Sequence, residues 1–289
     1  MTRIVTHSGV FHADEIFAIA LLNKFYLKLP AEILRKFIVR TRYVDTINEA
    51  KNNKTIFVLD VGGEHSIEHL NFDHHQTGTG DDESTCRMIF DWLIEKEVFI
   101  NEHPLFVRGI RENVVQPISM HDNGLMNFYL SEVISGYNRD ASDANNQDKQ
   151  FHLALSFAMQ ILDNTVYQIK VAIKREKILM RGLEDHCYRN FLMLPEFVFG
   201  ASKYLGDMNI PQQYFAYTNP EGGINLQVIE GNDRALFPIN WRGLSGEELV
   251  KVSGLDNALF CHKGGHLLVF DGKVKIEKLN VVANMVGDK

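Results

Sequence analysis

The stretch Asn71-Phe72-Asp73-His74-His75-Gln76 ends a short apolar approach in one carboxylate and two adjacent imidazoles. Adjacent side chains on an extended backbone point to opposite faces, so His74 and His75 are expected to do different work, one on a metal ion and the other toward a substrate. Imidazole with carboxylate suits a borderline divalent ion such as manganese, iron or zinc, and a second carboxylate-rich neighbourhood would let two ions share a bridging ligand. Three further stations supply that neighbourhood. Upstream, Ile4-Val5 reads as a short buried strand that runs into His7-Ser8-Gly9-Val10-Phe11-His12-Ala13-Asp14-Glu15. The apolar run Ile56-Phe57-Val58-Leu59 ends at Asp60 and breaks at Gly62-Gly63. Downstream lies Ile118-Ser119-Met120-His121-Asp122-Asn123-Gly124, with Gly124 as a terminator.

Between these stations strands alternate with helices. Residues 4–5, 37–39 and 55–59 have strand character, 14–25 and 44–51 helical character, and residues 69–72 lead into the central motif. Helices are expected over 84–97, with Ser84 as cap, and over 103–116. This βαβα order predicts an α/β fold with a doubly wound, mainly parallel N-terminal sheet. In such sheets sites form at the carboxyl ends of strands, where the stations sit. A polar loop over 140–149 precedes a helical pattern over 151–185, read as a packing and connecting helix. Past Pro195 the texture changes to a β-hairpin over 214–229 with a Gly-rich turn, a short helix ended by Gly254, and strands at 258–261 and 266–270. The expected organisation is a first domain over 1–187, connecting helix included, and a second, smaller α/β domain over 196–289.

Taken singly, a histidine near a strand end is more often a hydrogen-bonded loop residue than a ligand, and a lone aspartate more often opens a turn. Four stations together are not explained that way, because caps and turns do not need histidines. No Gly-x-Ser-x-Gly elbow and no Gly-x4-Gly-Lys loop is present, so neither a serine nucleophile nor a Walker-type phosphate cradle competes with metal chemistry. With 289 residues and 45% hydrophobic composition, the chain suits two domains with a substantial core. No apolar run approaches the roughly 20 residues of a membrane span, and a cytoplasmic location is expected. Cys86, Cys187 and Cys261 fit neither disulfide nor zinc spacing and read as buried small hydrophobes.

Asp73-His74-His75, with strand-end Asp60, N-terminal His7…His12-x-Asp14 and downstream Asp122, resembles the DHH phosphoesterase superfamily. Within it, Thr-His-Ser-Gly-Val-Phe-His-Ala-Asp-Glu, Leu-Asp-Val-Gly-Gly-Glu and Phe-Asp-His-His-Gln are similar to the branch of the melanocyte proliferating gene 1 protein, whose eukaryotic members are regarded as 3′-to-5′ RNA exonucleases. Pro238-Ile239-Asn240-Trp241-Arg242-Gly243-Leu244 and Phe260-Cys261-His262 extend the resemblance into the C-terminal third. It implies a phosphodiester hydrolase with a two-metal hydroxide mechanism, acting on single-stranded RNA or a short oligonucleotide. His7, His12 and Asp60 would hold one ion and Asp14, Asp60, His74 and Asp122 the other, with Asp60 bridging. Manganese is the first expectation, with magnesium, iron or zinc as alternatives. Asp73 would orient a ligand histidine, and His75 would contact phosphoryl oxygens or assist proton transfer. Arg242, His262, Gly264 and Gly265 would bind substrate from a C-terminal domain that closes over the site; a hairpin turn is the structural role open to the two glycines. No membrane partner is expected, and the sequence leaves the oligomeric state open, a homodimer included.

The first motif departs from the superfamily's His-x3-Asp-x-Asp by one extra residue and by an imidazole in place of a carboxylate, which makes one ligand set richer in nitrogen. The same ligands also serve pyrophosphatases and cyclic-dinucleotide or nanoRNA phosphodiesterases, and a metal-stabilised regulatory protein without turnover is the reading from a different class. A net charge of −7 argues against a general charge-driven nucleic-acid binder. Oligonucleotide would then rest on the metals and a local basic strip, with Arg40, Arg42, Arg108, Arg111, Arg242 and Lys263 as candidates.

Overall fold

In the computed structural model, which describes residues 3–76, 83–139 and 143–287, the chain is α/β and divides into two compact units, Met1–Lys170 and Val171–Lys289. The first unit runs β1 (Arg3–Thr6), α1 (Ala13–Leu22), α2 (Ala31–Phe37), β2 (Ile38–Arg40), α3 (Val44–Lys51), β3 (Ile56–Leu59), β4 (His65–Ser66) and β5 (Asn71–Phe72). It continues with α4 (Thr85–Glu95), α5 (Pro104–Ile110), α6 (Gln116–Asp122), α7 (Tyr129–Ser135) and the long α8 (Ala144–Asp185), inside which the two units divide. Its sheet has the order β2-β1-β3-β5-β4. All neighbours pair in parallel except the short edge strand β4, which is antiparallel to β5. Parallel pairing sets the carboxyl ends of β1, β3 and β5 side by side, which is what assembles the stations.

Helix α1 explains why the sheet can hold charge at that edge. Every residue from Ala13 to Leu22 is buried, Asp14 and Glu15 included, so an apolar helix delivers two carboxylates from its first turn into the interior. On the core side of β3 and β5, Phe57, Phe72, Tyr26 and Trp92 pack ring on ring.

The helices depart from the expected ones in three places. First, α2 fills residues that carried no expectation, and the strand after it begins at Ile38. Second, the polar loop expected over 140–149 is helix from Ala144, because Asp143 starts the helix by accepting from the Asn146 amide at 3.3 Å; Asp and Asn favour this capping position. Third, the helix expected to end at 116 continues to Asp122 through a π-helical turn, Arg111–Val115. That wider turn lies just before Pro117, whose missing N–H and ring would disrupt a regular helix. Ser84 does cap α4, accepting from the Arg87 amide at 3.3 Å. Among the described residues no helix is long and apolar enough to cross a membrane.

The second unit contains β6 (Phe191–Met193), α9 (Ala201–Asp207), β7 (Tyr214–Thr218), β8 (Ile224–Val228), α10 (Gly246–Ser253), β9 (Ala258–Cys261), β10 (Leu267–Phe270) and α11 (Ile276–Gly287). Its sheet, β6-β7-β8-β10-β9, is antiparallel except for β6 beside β7. The β7–β8 hairpin stands where the sequence predicts it. Cys86 and Cys261 are buried as expected, whereas Cys187 is exposed, because it follows the end of α8 and precedes β6 at the surface.

Candidate metal centre

His7 leaves the end of β1, Asp60 the end of β3, and Asp73-His74-His75 the end of β5, while His12 caps α1 and Asp122 ends α6. The fourth station therefore sits at a helix C-terminus and not at a strand end as the sequence implied. Asp60 adopts φ +57, a left-handed conformation that an L-residue enters at a cost of about 1–3 kcal/mol. The turn aims its carboxylate back into the cluster and not along the strand. One oxygen, Oδ2, stands 3.3 Å from His7 Nε2. The other, Oδ1, stands 3.4 Å from His74 Nε2 and 3.5 Å from His75 Nδ1. His74 Nε2 is also 3.2 Å from Asp122 Oδ2 and 3.9 Å from Asp14 Oδ2.

Three overlapping groups result, each with its donor atoms within 4.8 Å of one another: His7, His12, Glu15 and Asp60; Asp60, His74 and His75; Asp14, His74 and Asp122. All six residues predicted as ligands fall into these groups, with Asp60 common to two of them. The groups add His75, which was expected toward substrate, and Glu15, which carried no expectation as a ligand. Glu15 is held at two points. Its carboxylate lies 3.0 Å from His7 Nε2 and also accepts from the His12 amide at 2.9 and 3.0 Å. A glutamate three residues after the helix cap is the usual partner in a capping box, and that ordinary role hides the second one from a sequence reading.

The donor set fits divalent ions. Donors about 2.1 Å from one ion and 90–110° apart lie about 3.0–3.4 Å from each other, which is the spacing from His7 to Glu15 and Asp60 and from His74 to Asp60 and Asp122, while His74 to Asp14 is wider at 3.9 Å. Thr85 and Cys86, at the amino end of α4, donate backbone N–H groups to the two Asp14 oxygens at 2.9 and 2.7 Å. These bonds fix the carboxylate while leaving its remaining lone pairs toward the cluster. Without a metal, protons stand in for it. Burial disfavours a charged His7, but its bonds to Asp60 and Glu15 outweigh that and push its pKa up to about 10. For His74 burial is likewise outweighed by Asp60 and the charges of Asp14 and Asp122, giving about 9. Burial, then neighbouring carboxylates, raise Asp14; burial also raises Glu15 and Asp122. Asp60 alone in the cluster is held well below the usual range, its burial outweighed by the bonds from His7 and His74.

The raised groups share one sign: the folded, metal-free protein binds more protons than the unfolded chain, so its stability falls as pH rises. For the two histidines the contribution is complete below about 6.5 and lost through about 9 to 10. Chelated protein should therefore melt several degrees lower at pH 8.5 than at pH 6.5, while manganese-loaded protein should not, since metal replaces the protons. Parallel melting curves with and without metal would contradict the assignment.

His74 and His75 were expected to face opposite ways. They do not: the strand ends at Phe72, the backbone turns, and the two rings lie 4.4 Å apart, both toward Asp60. They differ in exposure, with His75 62% exposed and His74 11%. Asp73 bonds His75 and not the buried histidine. Its Oδ1 is 2.7 Å from His75 Nδ1 and accepts from the His75 amide at 3.0 Å, while Oδ2 accepts from the Gly63 amide at 2.6 Å. These bonds outweigh burial and hold Asp73 low, and the same Asp73 bond raises His75. A cavity of about 340 Å³ opens onto His12, Asp14, Asp60, His74, His75 and Asp122.

In the second unit, Arg242, His262, Gly264 and Gly265 also come together. Arg242 Nε donates to the Phe237 carbonyl at 2.8 Å, the Gly264 amide donates to His262 Nδ1 at 3.0 Å, and the His262 and His266 rings lie 4.1 Å apart. The two glycines do form the β9–β10 turn. Gly265, at φ +73, is further constrained because a Cβ there would stand 2.5 Å from Arg242 Nε. Of the other basic candidates, Arg40 is buried against the Phe151 ring and paired with Asp148 at 2.7 Å, which removes it from any substrate strip. Arg111 is paired with Asp91 at 2.8 Å, and Arg108 lies 3.8 Å from Glu112.

Residues 3–280 match the family model MYG1_exonuc, described as an uncharacterised protein family (UPF0160). A MYG1 protein of Chlamydia muridarum is 30% identical over 299 residues, covering 98% of this chain and 96% of that protein. The MYG1 exonuclease of Homo sapiens is 24% identical over 314 residues, covering 92% of this chain and 81% of that protein. RecJ in complex with Mg2+ from Thermus thermophilus is similar at 12% identity and a TM-score of 0.28, covering 100% of this chain and 50% of that chain.

Proposed function

Because the chain belongs to the MYG1 family, whose model spans residues 3–280, we propose that it is a metal-dependent phosphodiester hydrolase of the DHH type, a 3′-to-5′ exonuclease acting on RNA or short oligonucleotides. The observation that carries the proposal is the Asp60 carboxylate, with one oxygen 3.3 Å from His7 and the other 3.4 Å from His74. One ion would be held by His7, His12 and Asp60 with Glu15 beside them, the other by Asp14, Asp60, His74 and Asp122. Divalent ions there supply Lewis acidity toward a phosphoryl oxygen and lower the pKa of an attacking water. The protein's own part is orientation and proton handling. Asp73 engages Nδ1 of His75, which leaves Nε2 for the substrate. With its pKa raised by that carboxylate, His75 carries a proton over more of the neutral range and can donate it to a phosphoryl or leaving oxygen.

Assays with added manganese on RNA 5-mers and 25-mers, bis(p-nitrophenyl) phosphate and pyrophosphate test this. Both RNAs and the model diester should be cleaved, the 5-mer about as well as the 25-mer. The affinity for RNA should fall shallowly with salt, with a slope of roughly two to four phosphates, as suits an acidic chain that binds locally. Cleavage of pyrophosphate alone would move the protein to the pyrophosphatases, and metal-replete protein that cleaves nothing would make it a metal-stabilised binding protein.

A further inference from the structure

The sheet edge that carries the cluster also carries a cation that the metal-binding residues do not use. The Thr41 amide donates to the Thr6 carbonyl at 2.8 Å, continuing the β1–β2 pairing by one residue. Arg42 therefore stands at the carboxyl end of β2, beside His7-Ser8-Gly9. Its Nε donates to the Ser8 carbonyl at 2.8 Å, which anchors the base of the guanidinium. Gly9, at φ +93, gives the turn a backbone conformation that suits glycine, and a Cβ there would only touch the guanidinium, 3.8 Å from Nε and 3.9 Å from Nη2. Arg40, two residues earlier, spends its charge on Asp148. Arg42 is exposed and makes no ion pair among the described residues.

The cluster opens on two sides. Besides the cavity toward Asp122, a second of about 270 Å³ is lined by His7, His12, Arg42, Asp60, Asp73 and His75. The two share His12, Asp60 and His75. A substrate reaching across the shared residues would meet the metal ligands in one cavity and the Arg42 fork in the other. The fork matches the oxygens of a phosphate and stays charged at any working pH. A single diester lying on the metal ligands does not need a second cation beyond them; a neighbouring phosphate does.

Resting on the phosphodiesterase reading, we infer that Arg42 binds the phosphate next to the scissile one, so that the enzyme selects substrates with at least two phosphates over an isolated diester. Three dinucleotides test this: a dinucleoside monophosphate and its 5′- and 3′-phosphorylated forms. Wild-type protein should turn over one phosphorylated form about ten- to a hundredfold better, the factor expected of one charge-assisted hydrogen-bond pair. Titration calorimetry with the same three molecules carrying a non-hydrolysable linkage should show the same preference in binding. Arg42→Gln should reduce both preferences to within about twofold, and Arg42→Lys, which keeps the charge without the fork, should retain part of them. If Arg42 only pins the Ser8 carbonyl, both variants will lose activity on all three substrates by one factor and keep the preference, which overturns the inference. A wild-type enzyme that cleaves RNA but shows no preference overturns it as well. Wild-type protein that cleaves no phosphodiester overturns the functional reading first, and this inference with it.

Discussion

Replacing Asp60 with alanine is expected to strip bound metal from both proposed ion sites and to lower phosphodiester turnover about 10⁴-fold or more, because its two oxygens face His7 of one proposed ligand set at 3.3 Å and His74 of the other at 3.4 Å. His12→Ala is the contrast. His12 belongs only to the group with His7 and Glu15, so it should weaken one ion and leave the other. Asp60→Asn completes the series. Asparagine tolerates the left-handed backbone that Asp60 adopts at φ +57, so the fold is kept while the charge is lost. Elemental analysis of the three variants beside wild type reads the result directly. Asp60→Ala protein that retains both ions at wild-type affinity would sink the bridging assignment.

The second large effect belongs to His75. His75→Ala should leave metal content unchanged and lower kcat about 10²- to 10⁴-fold, the usual range for a positioned proton donor, with KM moving little. The competing role is specific, because Asp60, His74 and His75 place donor atoms within 4.8 Å of one another. If His75 is instead a ligand, the alanine variant loses metal and activity in proportion. Asp73→Asn sharpens the distinction. The amide can still accept from the Gly63 amide but cannot raise the imidazole's pKa as a carboxylate does, so the alkaline limb of the kcat profile, where His75 loses its proton, should move to lower pH while metal stays bound.

Much of the site was legible because its chemistry sits where chain pattern and fold coincide. His7, Asp60 and Asp73-His74-His75 each follow an apolar run, and parallel pairing of those runs brings their ends together. What could not be read came from local backbone geometry. The orientation of His74 and His75 depends on the strand stopping at Phe72, two residues before His74, so the alternation of an extended backbone does not reach them. Asp122 lies on a helix that survives Pro117 only through the π-helical turn before it, a feature with no sequence period. Glu15 is ambiguous for a different reason: one carboxylate satisfies the helix cap and faces His7 at once. Arg40 and Arg42 look equivalent as letters, yet one is buried on an aromatic ring and the other is exposed on a cavity beside the cluster.

Whether this cluster performs metal-dependent phosphodiester hydrolysis is decided by turnover of bis(p-nitrophenyl) phosphate on a single preparation. The preparation is assayed as purified, after exhaustive chelation with metal loss verified by elemental analysis, and after return of manganese. Activity should vanish on chelation and come back with manganese, approaching its maximum as the second ion per chain binds. Hydrolysis that persists undiminished in verified metal-free protein, or that never appears in protein carrying its full complement of metal, would mean that the cluster is not a metal-dependent phosphodiesterase site.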